Sequence, residues 1–205
     1  MKDKYLLIAA RGISLLFTPF YFPVLAFVAL IWFSYLKLLP GAQKLMILFT
    51  VYFFTVALPL LAIYLYRRIN GWARHQLSKR ERRIIPYILS ISSYGCLLYV
   101  LASMHMPRYM MGIIVGALAI QIISALLTPV IKLSTHAAAA GGVIGAILAF
   151  SLIFRFDPTL WLCIAIVLTG AVASSRIILR FHDLRQVGIS VALGIVCGIA
   201  SILFV

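Results

Sequence analysis

Residues 132–188 read KLSTHAAAAGGVIGAILAFSLIFRFDPTLWLCIAIVLTGAVASSRIILRFHDLRQVG, and their alternation decides the class of the fold. Polar clusters open and close the stretch. Lys132, Ser134, Thr135 and His136 stand at one end; Ser175, Arg176, Arg180, His182, Asp183, Arg185 and Gln186 stand at the other. Two apolar runs lie between them, joined by a short turn at Arg155-Phe156-Asp157-Pro158. Each is about the 20 residues a helix needs to cross a bilayer. The chain therefore crosses and comes back, which sets His136 and His182 at the same membrane surface. Two imidazoles among lysine, serine and arginine at such a surface point to a site for a phosphorylated lipid.

The rest of the chain agrees with a membrane reading. Hydrophobic residues make up 64% of its 205 positions and charged ones 11%, and the mean hydropathy is +1.13. Long unbroken apolar runs, rather than short alternating ones, predict helices and not a β-barrel. The expectation is an all-α polytopic membrane helical bundle with six to seven transmembrane helices. No soluble domain fits beside them. Residues 1–205 read as a single integral membrane domain, with an N-terminal segment and first span over 1–44 and a six-span core over 45–205.

A formal charge of +14 could suggest nucleic acid. The basic residues lie between spans instead of on one soluble face, so the partners implied are the bilayer and its anionic headgroups, not nucleic acid. Cys96, Cys163 and Cys197 each fall inside an apolar run with no metal-type spacing and read as small core residues. The amino end begins like a signal peptide, but Arg11 interrupts the apolar part and no small-residue cleavage site follows. It reads as an uncleaved first segment.

In chain order, Pro19 and Pro23 break the first apolar run into a short interfacial or tilted helix over about 5–17 and a span over about 21–37. Spans are expected over about 45–66, from Pro86 to near His105, and over 109–131, 137–154, 158–178 and 187–205. The basic loop of residues 67–83 holds Arg67, Arg68, Arg74, Lys79, Arg80, Arg82 and Arg83. Alternation puts that loop, the amino end and both histidine patches on one side, with 13 of the 18 Lys and Arg residues. The positive-inside rule makes this face cytoplasmic, in a bacterial inner membrane. Gly141, Gly142 and Gly145 after four alanines, and the Gly194–Gly198 pair, predict helices in close approach.

The two patches resemble the second and third signature motifs of the type 2 phosphatidic acid phosphatase family. The family's second motif is Pro-Ser-Gly-His, matched here by Leu133-Ser134-Thr135-His136; its third is Ser-Arg-x5-His-x3-Asp, matched by Ser175-Arg176-x5-His182-x3-Gln186. The two spans between the motifs fit as well, and the resemblance covers the last five spans. It implies a lipid phosphatase that needs no metal or cofactor, with a phosphorylated lipid as substrate. His182 would attack phosphorus and become a phosphohistidine, and His136 would protonate the leaving alkoxide. Candidate lipids are phosphatidic acid, phosphatidylglycerophosphate, an isoprenyl pyrophosphate or a phosphorylated lipid A. Arg176 would grip the phosphate through its planar fork, with Lys132, Ser134, Thr135 and Ser175 as further donors.

Three positions depart from the family pattern. Gln186 replaces the aspartate that orients the nucleophile. It can still accept a hydrogen bond and fix the ring's tautomer, but it cannot stabilise an imidazolium as a carboxylate does. Asp183, adjacent to His182, points elsewhere on a helix unless that helix starts later. Thr135 stands for glycine. The first motif, Lys-x6-Arg-Pro, has no exact match; Lys79-Arg80-Glu81-Arg82-Arg83 before Pro86 comes nearest, so Lys79 and Arg83 are the expected phosphate contacts there. Arg176 and His182, six apart, require a helix end between them. His75 reads as solvated, His105 as an interface residue at the opposite membrane surface, and Gln121 as an interhelical hydrogen-bonding group. The alternative is a non-hydrolytic protein of the same fold that binds, transports or transfers a lipid headgroup.

Overall fold

The computed structural model describes residues 2–71, 84–128 and 130–205. Trp72, His75, Lys79 and Arg83 of the basic loop lie outside the described residues. The described chain is an all-α bundle: α1 (Lys2–Leu16), α2 (Tyr21–Phe33), α3 (Gly41–Tyr52), α4 (Leu58–Ile69), α5 (Ile84–Ser103), α6 (Arg108–Leu127), α7 (Thr135–Phe154), α8 (Thr159–Ile178) and α9 (Leu184–Phe204). A π-helical turn, Phe53–Ala57, joins α3 and α4 into one continuous helix over Gly41–Ile69. With α5 to α9, it makes six helices long and apolar enough to cross a bilayer.

The first two helices are a separate case. α1 and α2 are bent by 63° at the break between them, where Pro19 removes a backbone donor. The pair runs the length of α8. Near one end Ser14 of α1 meets Arg176; near the other the Phe33 ring lies 5.0 Å from that of Trp161. The two α8 contacts are about 22 Å apart along the helix axis. By length and composition such a pair is a broken span or a re-entrant loop, which makes six or seven candidate spans among the described residues. One face of α1 thus packs on α8, while Leu6, Ile8, Leu15 and Leu16 stay exposed.

Three expected boundaries shift, each for a local reason. α2 ends at Phe33 and not near 37, because Ser34 turns extended and its hydroxyl accepts the Leu36 N–H at 3.2 Å, opening a 3-10 turn. α6 stops at Leu127, whose carbonyl accepts both the Val130 and Ile131 N–H groups at 3.0 and 2.8 Å. α9 begins at Leu184, not near 187, with Asp183 extended at its N-cap.

Polarity divides the bundle lengthwise. Phe27, Tyr94, Leu101, Met110, Ile114, Phe150 and Ile202 belong to one buried apolar cluster that joins α2, α5, α6, α7 and α9. Toward the opposite end the buried residues include Thr128, Ser134, Ser175, His182 and Ser190. On the outside, Leu152, Leu160, Ile166 and Val167 are exposed, as expected of side chains that meet lipid.

The tightest packing joins α7 to α9. A methyl group on Gly141 or Gly145 would run into the Val191 or Ile195 carbonyl oxygen; one on Gly194 or Gly198 would meet those of Ala138 or Gly142. Backbone lies against backbone, as the small-residue spacing predicts. The seam fixes the first turns of α7 and α9 relative to each other, and those turns carry the histidine patches.

Candidate phosphate site

Three chain segments converge at the polar end. The first enters α7. Ser134 is extended and caps the helix, its Oγ accepting the Ala137 N–H at 3.4 Å, a favoured cap chemistry. Its own N–H donates to Ser190 Oγ at 2.8 Å, and that hydroxyl donates to the Gln186 carbonyl at 2.6 Å. The loop before α7 is thereby pinned to α9. Just inside the helix start, the N–H groups of Thr135 and His136 stand outside the helical ladder and aim at the polar end.

The second segment leaves α8. Arg180 takes a left-handed conformation with φ 55°. The Phe181 N–H reaches back to the Arg176 carbonyl at 3.1 Å and the Arg180 N–H to the Ile177 carbonyl at 2.8 Å. This is a Schellman end with arginine in the position glycine usually holds. It supplies the required break between Arg176 and His182, so both side chains turn into one space.

The third segment enters α9, where His182 is 6% exposed. Its Nδ1 lies 3.1 Å from the Lys132 carbonyl oxygen and 3.2 Å from Gln186 Oε1. Both partners accept, so Nδ1 carries the proton and Nε2 keeps its lone pair. Gln186 is held in that sense by Asp183, whose Oδ2 accepts from the amide nitrogen at 3.4 Å. The carboxylate absent at position 186 is therefore present one step further out. The late-start condition for Asp183 is met, and it acts through Gln186, not on the ring. Burial first, then the charge of Arg176, lowers the His182 pKa from 6.5 to about 4; the Gln186 and Lys132 oxygens pull it back upward and the Lys132 ammonium lowers it further. Near neutral pH the ring is uncharged.

Arg176 and His136 complete the cluster. The Arg176 guanidinium donates to Ser14 Oγ at 2.7 Å and sits 4.5 Å over the Phe181 ring, a cation–π arrangement. Its charge bears on both imidazoles, and His182 bears on His136. The His136 ring lies beside the backbone of Ser14.

Of the residues expected at a phosphate, His136, His182, Arg176, Lys132 and Gln186 come together, with Thr135 beside them. Ser134 Oγ accepts as a helix cap, and Ser175, 1% exposed, donates to the Val172 carbonyl within its own helix at 2.7 Å. Lys79 and Arg83 lie outside the described residues. Gln121 lies beside Tyr94 between α5 and α6, and its buried Oε1 has no hydrogen-bond partner among the described residues. Ser14, Phe181 and Ser190 were not expected at the site. Among the described residues no three His, Cys, Asp or Glu side chains cluster as a metal would require. No protein-family model, curated protein or solved structure matches the chain.

Proposed function

We propose that the chain is a lipid phosphatase that hydrolyses a lipid phosphomonoester or pyrophosphate through a phosphohistidine, without metal or cofactor. The observation that carries this reading is the hold on His182. Two oxygen acceptors fix its proton on Nδ1, which leaves Nε2 as a neutral nucleophile in the field of the Arg176 charge. In the first step Nε2 attacks phosphorus and the bond to the lipid oxygen breaks. The His136 ring, protonated beside the phosphate dianion, gives its proton to the departing alkoxide. In the second step the neutral His136 ring takes a proton from water as that water attacks the phosphohistidine, which releases phosphate and restores both rings. Arg176, Lys132 and the first N–H groups of α7 stabilise the charge that builds on the phosphoryl oxygens.

The position of the site supports a lipid over a soluble ester. It lies at the end of a bundle whose flanks are apolar, so the phosphate of a membrane lipid reaches it while the tail stays in the bilayer. The basic bias of this face supports a cytoplasmic orientation in a bacterial inner membrane. The resemblance of Leu133–His136 and Ser175–Gln186 to the phosphatase motifs supports the same chemistry.

Phosphate release from a panel of lipid phosphates, measured in chelator with the purified protein, tests the proposal. Release is expected from the unaltered chain and a loss of more than about 10³-fold in His182→Ala. Labelled phosphate should remain on the protein after a denaturing quench, in an acid-labile and base-stable form. Undiminished release in His182→Ala overturns the nucleophile assignment. Lipid phosphate bound by a folded chain but never hydrolysed favours the binding or headgroup-transfer alternative.

A further inference from the structure

The break after α1 leaves backbone acceptors that must be satisfied. Helix ends strand their last carbonyls, and in a lipid-facing bundle a stranded carbonyl costs several kcal/mol. Here two of them are met within the break itself. The Ile13 carbonyl accepts the Phe17 N–H at 3.0 Å, and the Leu15 carbonyl accepts the Thr18 hydroxyl at 2.7 Å. Ser14 lies between them, with its backbone beside the His136 ring. The break therefore leaves a backbone acceptor next to one of the two histidines.

The same residue also serves through its side chain. Ser14 is 9% exposed, on the face of α1 that packs on α8 together with Ala10, which is 3% exposed. Its Oγ accepts from Arg176 Nη1 at 2.7 Å. The hydroxyl proton finds no acceptor among the described residues, so it is available to a ligand held by Arg176 and His136. A serine between an arginine and a histidine, with an uncommitted proton, matches one oxygen of a phosphate.

We infer that the broken N-terminal helix forms a wall of the anion site and that Ser14 is its working residue, positioning His136 through the backbone and Arg176 through the hydroxyl while offering a donor to a phosphate oxygen. This rests on the site being a phosphate site, but not on its turning phosphate over.

Titration of the full chain in nanodiscs with inorganic phosphate, read by calorimetry, tests the inference without a lipid or a reaction. Ser14→Ala is expected to weaken binding about tenfold, the effect of one charge-assisted hydrogen bond. Ser14→Thr, which keeps the hydroxyl, should bind within about threefold of the unaltered chain. Ser151→Ala, far along α7 with its hydroxyl on the Leu148 carbonyl, should bind as the unaltered chain does. Equal affinity in Ser14→Ala and the unaltered chain overturns the inference even if lipid phosphates are hydrolysed. Weakened binding with Thr rescue upholds it even if none is hydrolysed, in which case the phosphatase reading falls alone. No binding of phosphate to the unaltered chain at millimolar concentration removes both.

Discussion

The site is built against two regions packed in opposite ways. The α7–α9 seam is backbone against backbone, with glycines on both helices where a single methyl would collide with a carbonyl. The α1–α2 elbow is open. Gly12 has nothing within 4 Å of where a methyl would stand, and Leu15, Leu16 and Leu25 around it are exposed. The histidine patches and Gln186 belong to the seam; Ser14 and its hold on Arg176 belong to the elbow. On the proposed phosphatase reading, reacting groups must keep their distances and a lipid phosphate must enter from the side. That reading gives the first requirement to the closely packed seam and the second to the loosely packed elbow.

The largest test of this contrast is a pair of identical substitutions. Gly194→Ala drives a methyl into the Ala138 carbonyl and is expected to cost about 3 kcal/mol, at the upper end for an overpacked core. Gly12→Ala meets no atom and should be neutral or stabilising by up to ~1 kcal/mol through helix propensity. Reversible unfolding in mixed micelles measures both. Equal effects would mean that the two regions do not differ as described.

A smaller effect probes how the seam controls His182. Because its pKa falls below that of the unfolded chain, His182 favours the folded state fully above about pH 6.5, and this contribution is lost as pH drops toward about 4. Gln186→Glu keeps the acceptor in place and adds a negative charge, so the ring should hold its proton to higher pH. The acid limb of the pH–rate profile should then move upward by about one unit. A profile that stays put would show that Gln186 does not face the ring in solution.

Arg180 gives the smallest effect. Its left-handed backbone suits glycine, so Arg180→Gly should stabilise by about 1 kcal/mol with turnover unchanged, measured by thermal midpoint and phosphate release. Stabilisation accompanied by lost turnover would mean that the α8–α9 turn needs the arginine side chain and not just the bend.

The features legible in the sequence were those with a local or periodic signal. Length and hydropathy gave the spans; the small residues of α7 and α9 gave the seam; the six-residue offset from Arg176 to His182 demanded a helix end, and Arg180 provides it. Ser14 carried no such signal. It is a lone serine in an apolar run, and its partner lies 162 positions away, a separation that no periodicity reports. The Asp183–Gln186 contact was hidden for a different reason. It depends on where α9 begins, and helix starts are set by one extended residue that hydropathy does not mark.

The π turn in the helix Gly41–Ile69 has a consequence of its own. An α-helix locks the facing of every residue to that of every other, about 100° per position. Within Phe53–Ala57 that lock is released, and the Phe54 carbonyl is taken by the Ser93 hydroxyl of α5 at 2.5 Å. The two halves of this long helix are thus phased independently, as two shafts joined by a coupling. Shortening the turn by one residue would restore a continuous ladder and swing one half by about a quarter of a revolution. Val51 and Pro59, now buried on either side of the turn, would no longer face the bundle together.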